Sequence, residues 1–340
     1  MKRTILYVVL AFIVAPIFVS CYQSHKKKLD LAYALVESRP DSALALMKHI
    51  DQEGLSKEEM AKYALTYYIA QDKSGLDLDN DSLIRIAYDW YEGHQEDSLY
   101  VLCLNYMGKF YLLVDSMEQA KSCLEKAYFI SDSLHKMNVK RLVLDKLIEV
   151  EEQLEPYKAL RYAKDMLKMY DSMANVTIYN KVATRLRLGE NFFYVGSLQH
   201  ALEEERKAYR MAMKAGDSNL LSYVRQNLAS TFEEMGEKDS CLYYARLAYD
   251  LNAANRFSCL LTFASAYISV DSLNQAFSLL NQALPKTAED RYSVFYFQSQ
   301  AAMKAQDFKS AKSFSDSAYH YLEDMYRTAL QGKAAYYTSF

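Results

Sequence analysis

Small, apolar and aromatic residues recur along this chain in a register that fits paired helices. Met107-Gly108, Tyr111, Ala120, Leu124 and Ala127 form one copy of the pattern. Leu188-Gly189, Phe192, Ala201, Glu205 and Ala208 form a second, and Leu228-Ala229, Phe232, Cys241, Ala245 and Ala248 a third. Phe263-Ala264, Tyr267, Ala276, Leu280 and Ala283 form a fourth. Counted from the Gly or Ala, an aromatic follows at three, and mostly small or apolar residues follow at twelve, sixteen and nineteen. Intervals of three and four stay on one helix face. The pattern therefore predicts antiparallel helical hairpins in which a small residue lets the two helices approach and an aromatic fills the gap beside it.

The register extends beyond these four copies. With the small residue of each second helix as a marker, Ala43, Leu83, Ala120, Ala159, Ala201, Cys241, Ala276 and Ala311 are spaced by 40, 37, 39, 42, 40, 35 and 35 residues. The hairpins around Ala43, Leu83 and Ala159 rest mainly on this spacing. Such a pattern resembles the tetratricopeptide (TPR) repeat, with periods between its 34 residues and the 40-plus of related helical repeats. The resemblance implies an all-α fold, a TPR-like right-handed superhelical solenoid of about eight antiparallel helix hairpins, and a role in recognition. The Trp of the family pattern is missing, with Leu104, Arg185, Arg225 and Leu260 in its place.

Polar residues mark the turns. Asp-Ser pairs at 41–42, 81–82, 115–116, 239–240 and 271–272 each precede a second helix. Their side chains are expected to accept hydrogen bonds from the unpaired first-turn N–H groups. Pro40 and Pro156 suit a helix start, where a missing N–H costs nothing. Gly196, Gly216 and Gly236 fall where turns are needed.

The N-terminus is organised differently. Lys2 and Arg3 precede an uncharged run from Ile5 to Val19, followed by Ser20-Cys21. This run is short for a membrane span and suits a secretory signal. The junction resembles a bacterial lipobox, with Phe18 where Leu is usual, and implies lipidation of Cys21. The expected division is a signal peptide over 1–20, a tether over 21–28 and a repeat domain over 29–340. Together with the repeats, the junction resembles TPR lipoproteins of the Bacteroides type. In those proteins an acidic stretch after the Cys directs surface export. Lys26-Lys27-Lys28 is basic, so the resemblance implies a lipid-anchored protein of the bacterial cell envelope that faces the periplasm.

Composition narrows the chemistry. Nine Gly and four Pro in 340 residues disfavour a turn-rich β fold. A net charge of −3 provides no general drive toward nucleic acid, so no nucleic-acid partner is expected. Cys103, Cys123, Cys241 and Cys259 all fall within helical patterns and read as free, small apolar residues. His200 and Glu204 read as an exposed pair one helical turn apart, which is too little for a metal site. No nucleophile elbow, phosphate loop or dinucleotide fingerprint is present. The chain is therefore expected to be no enzyme and to need no cofactor or metal. Thirty Tyr against a single Trp are read mainly as packing residues at the rim of a thin solenoid.

In TPR proteins the first helices line the concave face. Carried onto this chain, the resemblance places Asn105, Lys109, Glu151, Glu152, Glu190, Phe193, Tyr194, Tyr223, Glu233 and Glu234 there. Five carboxylates among aromatics suit a cationic or amine-bearing peptide. The leading expectation is a membrane-anchored scaffold or adaptor that binds a protein or peptide partner. A sensory module of a TPR-type transcriptional regulator and a glycan-binding lipoprotein are the alternatives, and the lone Trp90 counts against the latter.

Overall fold

The computed structural model describes residues 26–338, apart from 77, 79, 80, 95–97, 136, 174, 175 and 252. The expected signal peptide over 1–20 and the expected lipidation site Cys21 lie outside the described residues. Among the described residues there are sixteen helices and no strand. They pair in sequence as α1 (26–35) with α2 (Pro40–Met47), α3 (Lys57–Lys73) with α4 (Ser82–Tyr91), and α5 (Ser98–Leu113) with α6 (Met117–Ser133). Next come α7 (Met137–Leu154) with α8 (Pro156–Ser172) and α9 (Ile178–Tyr194) with α10 (Leu198–Ala215). The last are α11 (Ser218–Glu234) with α12 (Lys238–Tyr249), α13 (Arg256–Ser269) with α14 (Leu273–Leu280), and α15 (Ala288–Lys304) with α16 (Phe308–Thr338). This is the eight-hairpin array expected. Residues 26–28, expected in the tether, are already helical. The helices fall into two compact units, residues 1–147 and 148–340, and α7 runs through the division.

The small-residue register explains how each hairpin closes. A Cβ on Gly108 would lie 2.6 Å from Leu124 Cγ, so α5 and α6 can approach this closely only because that carbon is missing. Ala43, Ala120, Ala159, Ala201, Cys241, Ala276 and Ala311 are each the fourth residue of a second helix, and all are buried. Leu83 departs from this rule. It is the second residue of α4 and only half-buried, while Ile84 and Ala87 take the fully buried positions. The longer connection before Ser82 shifts the helix against the spacing of its neighbours.

Five hairpins share one turn. Asp115, Gly196, Gly236, Asp271 and Gln306 adopt left-handed φ values of 53°, 73°, 75°, 60° and 60°. The next residue then donates its N–H back across the helix end: Ser116 to the Tyr111 carbonyl at 2.8 Å, Ser197 to Phe192 at 2.8 Å, Glu237 to Phe232 at 2.9 Å, Ser272 to Tyr267 at 2.9 Å and Asp307 to Ala302 at 3.0 Å. This is the six-to-one bond of a Schellman ending, which satisfies an otherwise orphaned carbonyl. In four of the five turns the accepting residue is the aromatic of the repeat pattern.

The same turns overturn the capping expectation. Ser116 and Ser272 occupy the cap positions of α6 and α14, but neither side chain accepts a first-turn N–H. Their ψ values of 71° and 59° lie outside the extended region from which a cap side chain reaches the first turn. Asp81 caps α4 only by position and uses its carboxylate on Arg85, while Asp41 and Asp239 lie inside their helices. Side-chain capping occurs mainly at first helices instead, and also before α16, where Asp307 accepts the Ser310 N–H at 3.1 Å. Ser56, Thr177, Asp217 and Thr287 have extended ψ values and accept from the first turns of α3, α9, α11 and α15.

Arginines replace the family Trp by hydrogen bonding across their own hairpins. Arg185 donates to Glu204 at 2.7 Å, and Arg225 donates to the Leu247 carbonyl at 3.0 Å while lying over the Tyr209 ring. Cys103, Cys241 and Cys259 are buried free thiols, and Cys123 is half-buried and free. Burial pushes the Cys241 thiol up to about 12 and that of Cys123 to about 11, so both stay protonated and unreactive at neutral pH.

Candidate functional site

In unit 2 the backbones of α9, α11, α13 and α15 approach one another in succession. Second helices meet through long side chains, as in the edge-on contact of Tyr209 with Tyr244 at 6.0 Å and the tilted contact of Phe277 with Phe314 at 6.4 Å. The first helices are thus the more closely spaced layer, and their free face is the inner side of this unit.

A row of hydrogen bonds runs along that layer near the C-terminal ends of the helices. Asn191 on α9 donates Nδ2 to Glu152 on α7 at 2.9 Å, and Arg187 stands 3.1 Å from the same carboxylate. Asn227 on α11 donates to Glu190 on α9 at 2.9 Å. Ser265 on α13 donates to Glu233 on α11 at 2.5 Å. Lys304 on α15 donates to the Ile268 and Ser269 carbonyls at the end of α13, at 2.5 and 3.2 Å. In unit 1 the same relation joins Lys73 to Glu37 at 2.8 Å and Lys109 to Asp72.

This row changes the reading of the groove residues. Glu152, Glu190 and Glu233 are half-buried inter-repeat acceptors and not simply solvated side chains. Lys109 is held by Asp72. Asn105 and Glu151 are buried, against the expectation of an open groove position. Asn105 sits one helical turn before Gly108 and shares its closely packed face, and Glu151 shares a face with the fully buried Leu147 and Ile148. Phe193 is half-buried. Tyr194 and Tyr223 are 59% and 46% exposed, and Glu234 is exposed. Burial raises the Tyr194 phenol above its ordinary range, and the Glu190 and Glu152 charges raise it further. Glu152 is itself raised by burial, with Arg187 and the Asn191 bond opposing the shift.

His200 and Glu204 do not form an exposed pair. His200 stacks on Phe192 with ring centres 5.2 Å apart, whereas Glu204 is buried against Arg185 and Lys207. Among the described residues no group of His, Cys, Asp and Glu could hold a metal ion, and no helix is long and apolar enough to cross a membrane.

Two features escaped the sequence reading. Ser222, Asn255, Gln226 and Ser258 form a hydrogen-bonded chain between α11 and α13, with Ser222 donating to Asn255 at 2.7 Å and Asn255 to Gln226 at 2.8 Å. Glu205 stands where other repeats carry Leu124, Ala245 or Leu280. Burial pushes its carboxyl up to about 7, partly opposed by the Thr231 hydroxyl donating at 2.8 Å, and Glu190 raises it further. Its signal was a charged residue at an otherwise apolar repeat position.

No family model matches the chain, and no curated protein matches its sequence. Solved structures do. The apo form of RapI superposes with a TM-score of 0.67 at 14% identity, covering 92% of this chain and 95% of that one. A Rap protein complexed with competence and sporulation factor gives 0.62 at 15% identity, covering 93% and 96%. NprR in complex with its cognate peptide NprX gives 0.59 at 15% identity, covering 85% and 86%. The fold is that of a TPR-like helical-repeat array. At these identities the likeness establishes the fold alone.

Proposed function

We propose that this chain is a TPR adaptor that holds a peptide, or an extended segment of a protein partner, along the first-helix face of unit 2. The observation that supports this most is the exposure of Tyr194 and Tyr223 on a layer where Glu152, Glu190 and Glu233 are held by bonds from neighbouring helices. Aromatic rings left open on a rigid inner face offer contact area at little entropic cost. The Rap and NprR structures named above, which hold competence and sporulation factor and the peptide NprX, are consistent with such a use of the fold. The glycan reading is weaker: Trp90 stacks on His94 at 4.8 Å, so one face of its ring is already occupied.

The adaptor is attached to the bacterial envelope through lipid on Cys21 and faces the periplasm. This part of the reading rests on the lipobox-like junction and the basic stretch after it. Labelled palmitate should enter the wild-type protein and not Cys21→Ala; label that persists in the variant rejects the attachment site. For binding, the full chain is exposed to an array of random peptides. Tyr194→Ala and Tyr223→Ala should each weaken capture, while Tyr243→Ala, exposed on a second helix, should leave it unchanged. The opposite ranking would overturn the assignment of the face.

A further inference from the structure

Helix C-terminal ends carry partial negative charge and are stabilised by nearby cations. The first helices α7, α9, α11 and α13 have no basic residue in their last turns. The following first helix makes good this lack in most repeats. Lys73 meets Glu37, Lys109 meets Asp72, and Arg187 meets Glu152. Lys304 seats its ammonium on the terminal carbonyls of α13 and lies 3.0 Å from Asp271. At the ends of α9 and α11 the partner is neutral: Asn227 serves Glu190, and Ser265 serves Glu233. Glu234 adds a third, exposed carboxylate. Among the described residues no lysine or arginine lies within ion-pair distance of these three.

Two buried side chains beside this edge carry polar atoms with no partner. Glu205 is 1% exposed and close enough to Glu190 to feel its charge, and its Oε2 has no donor. Asn191, the neighbour of Glu190, is fully buried, and its Oδ1 has none either. What the α9 and α11 ends lack is positive charge.

We propose that the ligand supplies the missing cations: a peptide segment bearing two lysine or arginine side chains, one at the α9 end beside Glu190 and Tyr194, the other at the α11 end beside Glu233 and Glu234. This rests on the peptide-binding reading above and specifies its chemistry. Lys304, reaching from α15 to the end of α13, shows how such an ammonium is seated. The exposed Tyr194 ring beside the first position adds cation–π attraction. Neighbouring packed helices lie about 8–10 Å apart, which matches one three-residue turn of a polyproline-II chain, roughly 9 Å, whose side chains at i and i+3 share a face. The basic side chains are therefore separated by two residues.

The test measures fluorescence polarisation with the full chain. The probes are capped peptides that carry two lysines separated by zero to five residues, with glutamate and all-neutral versions alongside. Binding should peak at two intervening residues and weaken with salt. Glu190→Gln and Glu234→Gln should each weaken it about tenfold. Asn227→Lys places a cation in the chain itself and should suppress binding, as Lys304 closes the end of α13. Helix content is read for every variant, and because Glu234 is exposed, its substitution cannot fail through misfolding alone. Dilysine binding insensitive to both glutamate substitutions, or matched by the glutamate peptides, overturns the inference. If neutral peptides bind in a Tyr194-dependent way while dilysine peptides do not, the cation inference falls and the peptide-binding face stands. If no peptide of any composition binds, both fall.

Discussion

The Glu205 side chain packs against Gly189 where Leu124 packs against Gly108 in the earlier hairpin. A Cβ on Gly189 would lie 3.1 Å from Glu205 Cγ, and one on Gly108 would lie 2.6 Å from Leu124 Cγ. One repeat thus uses an ionisable side chain to fill a slot that the pattern reserves for apolar groups. Its carboxylate keeps a single donor, Thr231 at 2.8 Å.

That substitution makes stability depend on pH. The folded-state pKa of Glu205 is raised, chiefly by burial, to about 7, whereas an unfolded glutamate titrates near 4.5. Between these values the folded protein binds a proton that the unfolded chain has released, so stability falls as pH rises from about 4.5 to about 7. The full shift corresponds to a loss on the order of 3 kcal/mol. Glu205→Gln should flatten this slope and raise the melting temperature most at pH 7 and above. Parallel melting profiles for the two proteins between pH 4.5 and 7.5 would show that Glu205 does not titrate there.

Enlarging the small-residue slots should separate rigid from yielding neighbours. Gly108→Ala forces contact with the branched Leu124 and is expected to destabilise by about 1–3 kcal/mol. Leu124→Ala in the same chain should recover part of that loss. Gly189→Ala should cost less, because the flexible Glu205 side chain can shift. Ala120→Leu and Ala276→Leu overpack fully buried sites and should also destabilise by about 1–3 kcal/mol. Chemical denaturation checks all of these; wild-type midpoints throughout would mean that the helices are paired in another register.

The shared hairpin turn predicts opposite effects at equivalent positions. Gln306 holds a left-handed φ of 60°, so Gln306→Gly should relieve roughly 1 kcal/mol of strain. Gly236→Ala, at φ 75°, should lose a similar amount. Two changes of the same sign would mean that the turns are not equivalent.

How far the sequence could be read follows from the range of each interaction. Intervals such as Gly108 to Leu124 span one hairpin, so the helices and their pairing were visible. Leu83 misled because a longer connection displaced α4. The Asp-Ser pairs looked like caps, but capping depends on backbone angles that residue type does not reveal. The groove acids looked solvated because their partners lie a whole repeat away: Asn191 for Glu152, Asn227 for Glu190 and Ser265 for Glu233. Local periodicity has no view of such bonds. The exposure of Tyr194 and Tyr223 follows from the repeat register alone.

Crosslinking shows most directly where a peptide touches the chain. Benzoylphenylalanine can replace Tyr194 or Tyr223 on the first helices, and Phe129 or Tyr243 on second helices; all four positions are exposed. Each full-length variant is irradiated with the dilysine peptide that carries two intervening residues, and adducts are mapped by mass spectrometry. Crosslinks from positions 194 and 223, abolished by high salt and by excess unlabelled peptide, are the predicted result. Specific crosslinks from 129 or 243 with none from 194 and 223 would contradict it.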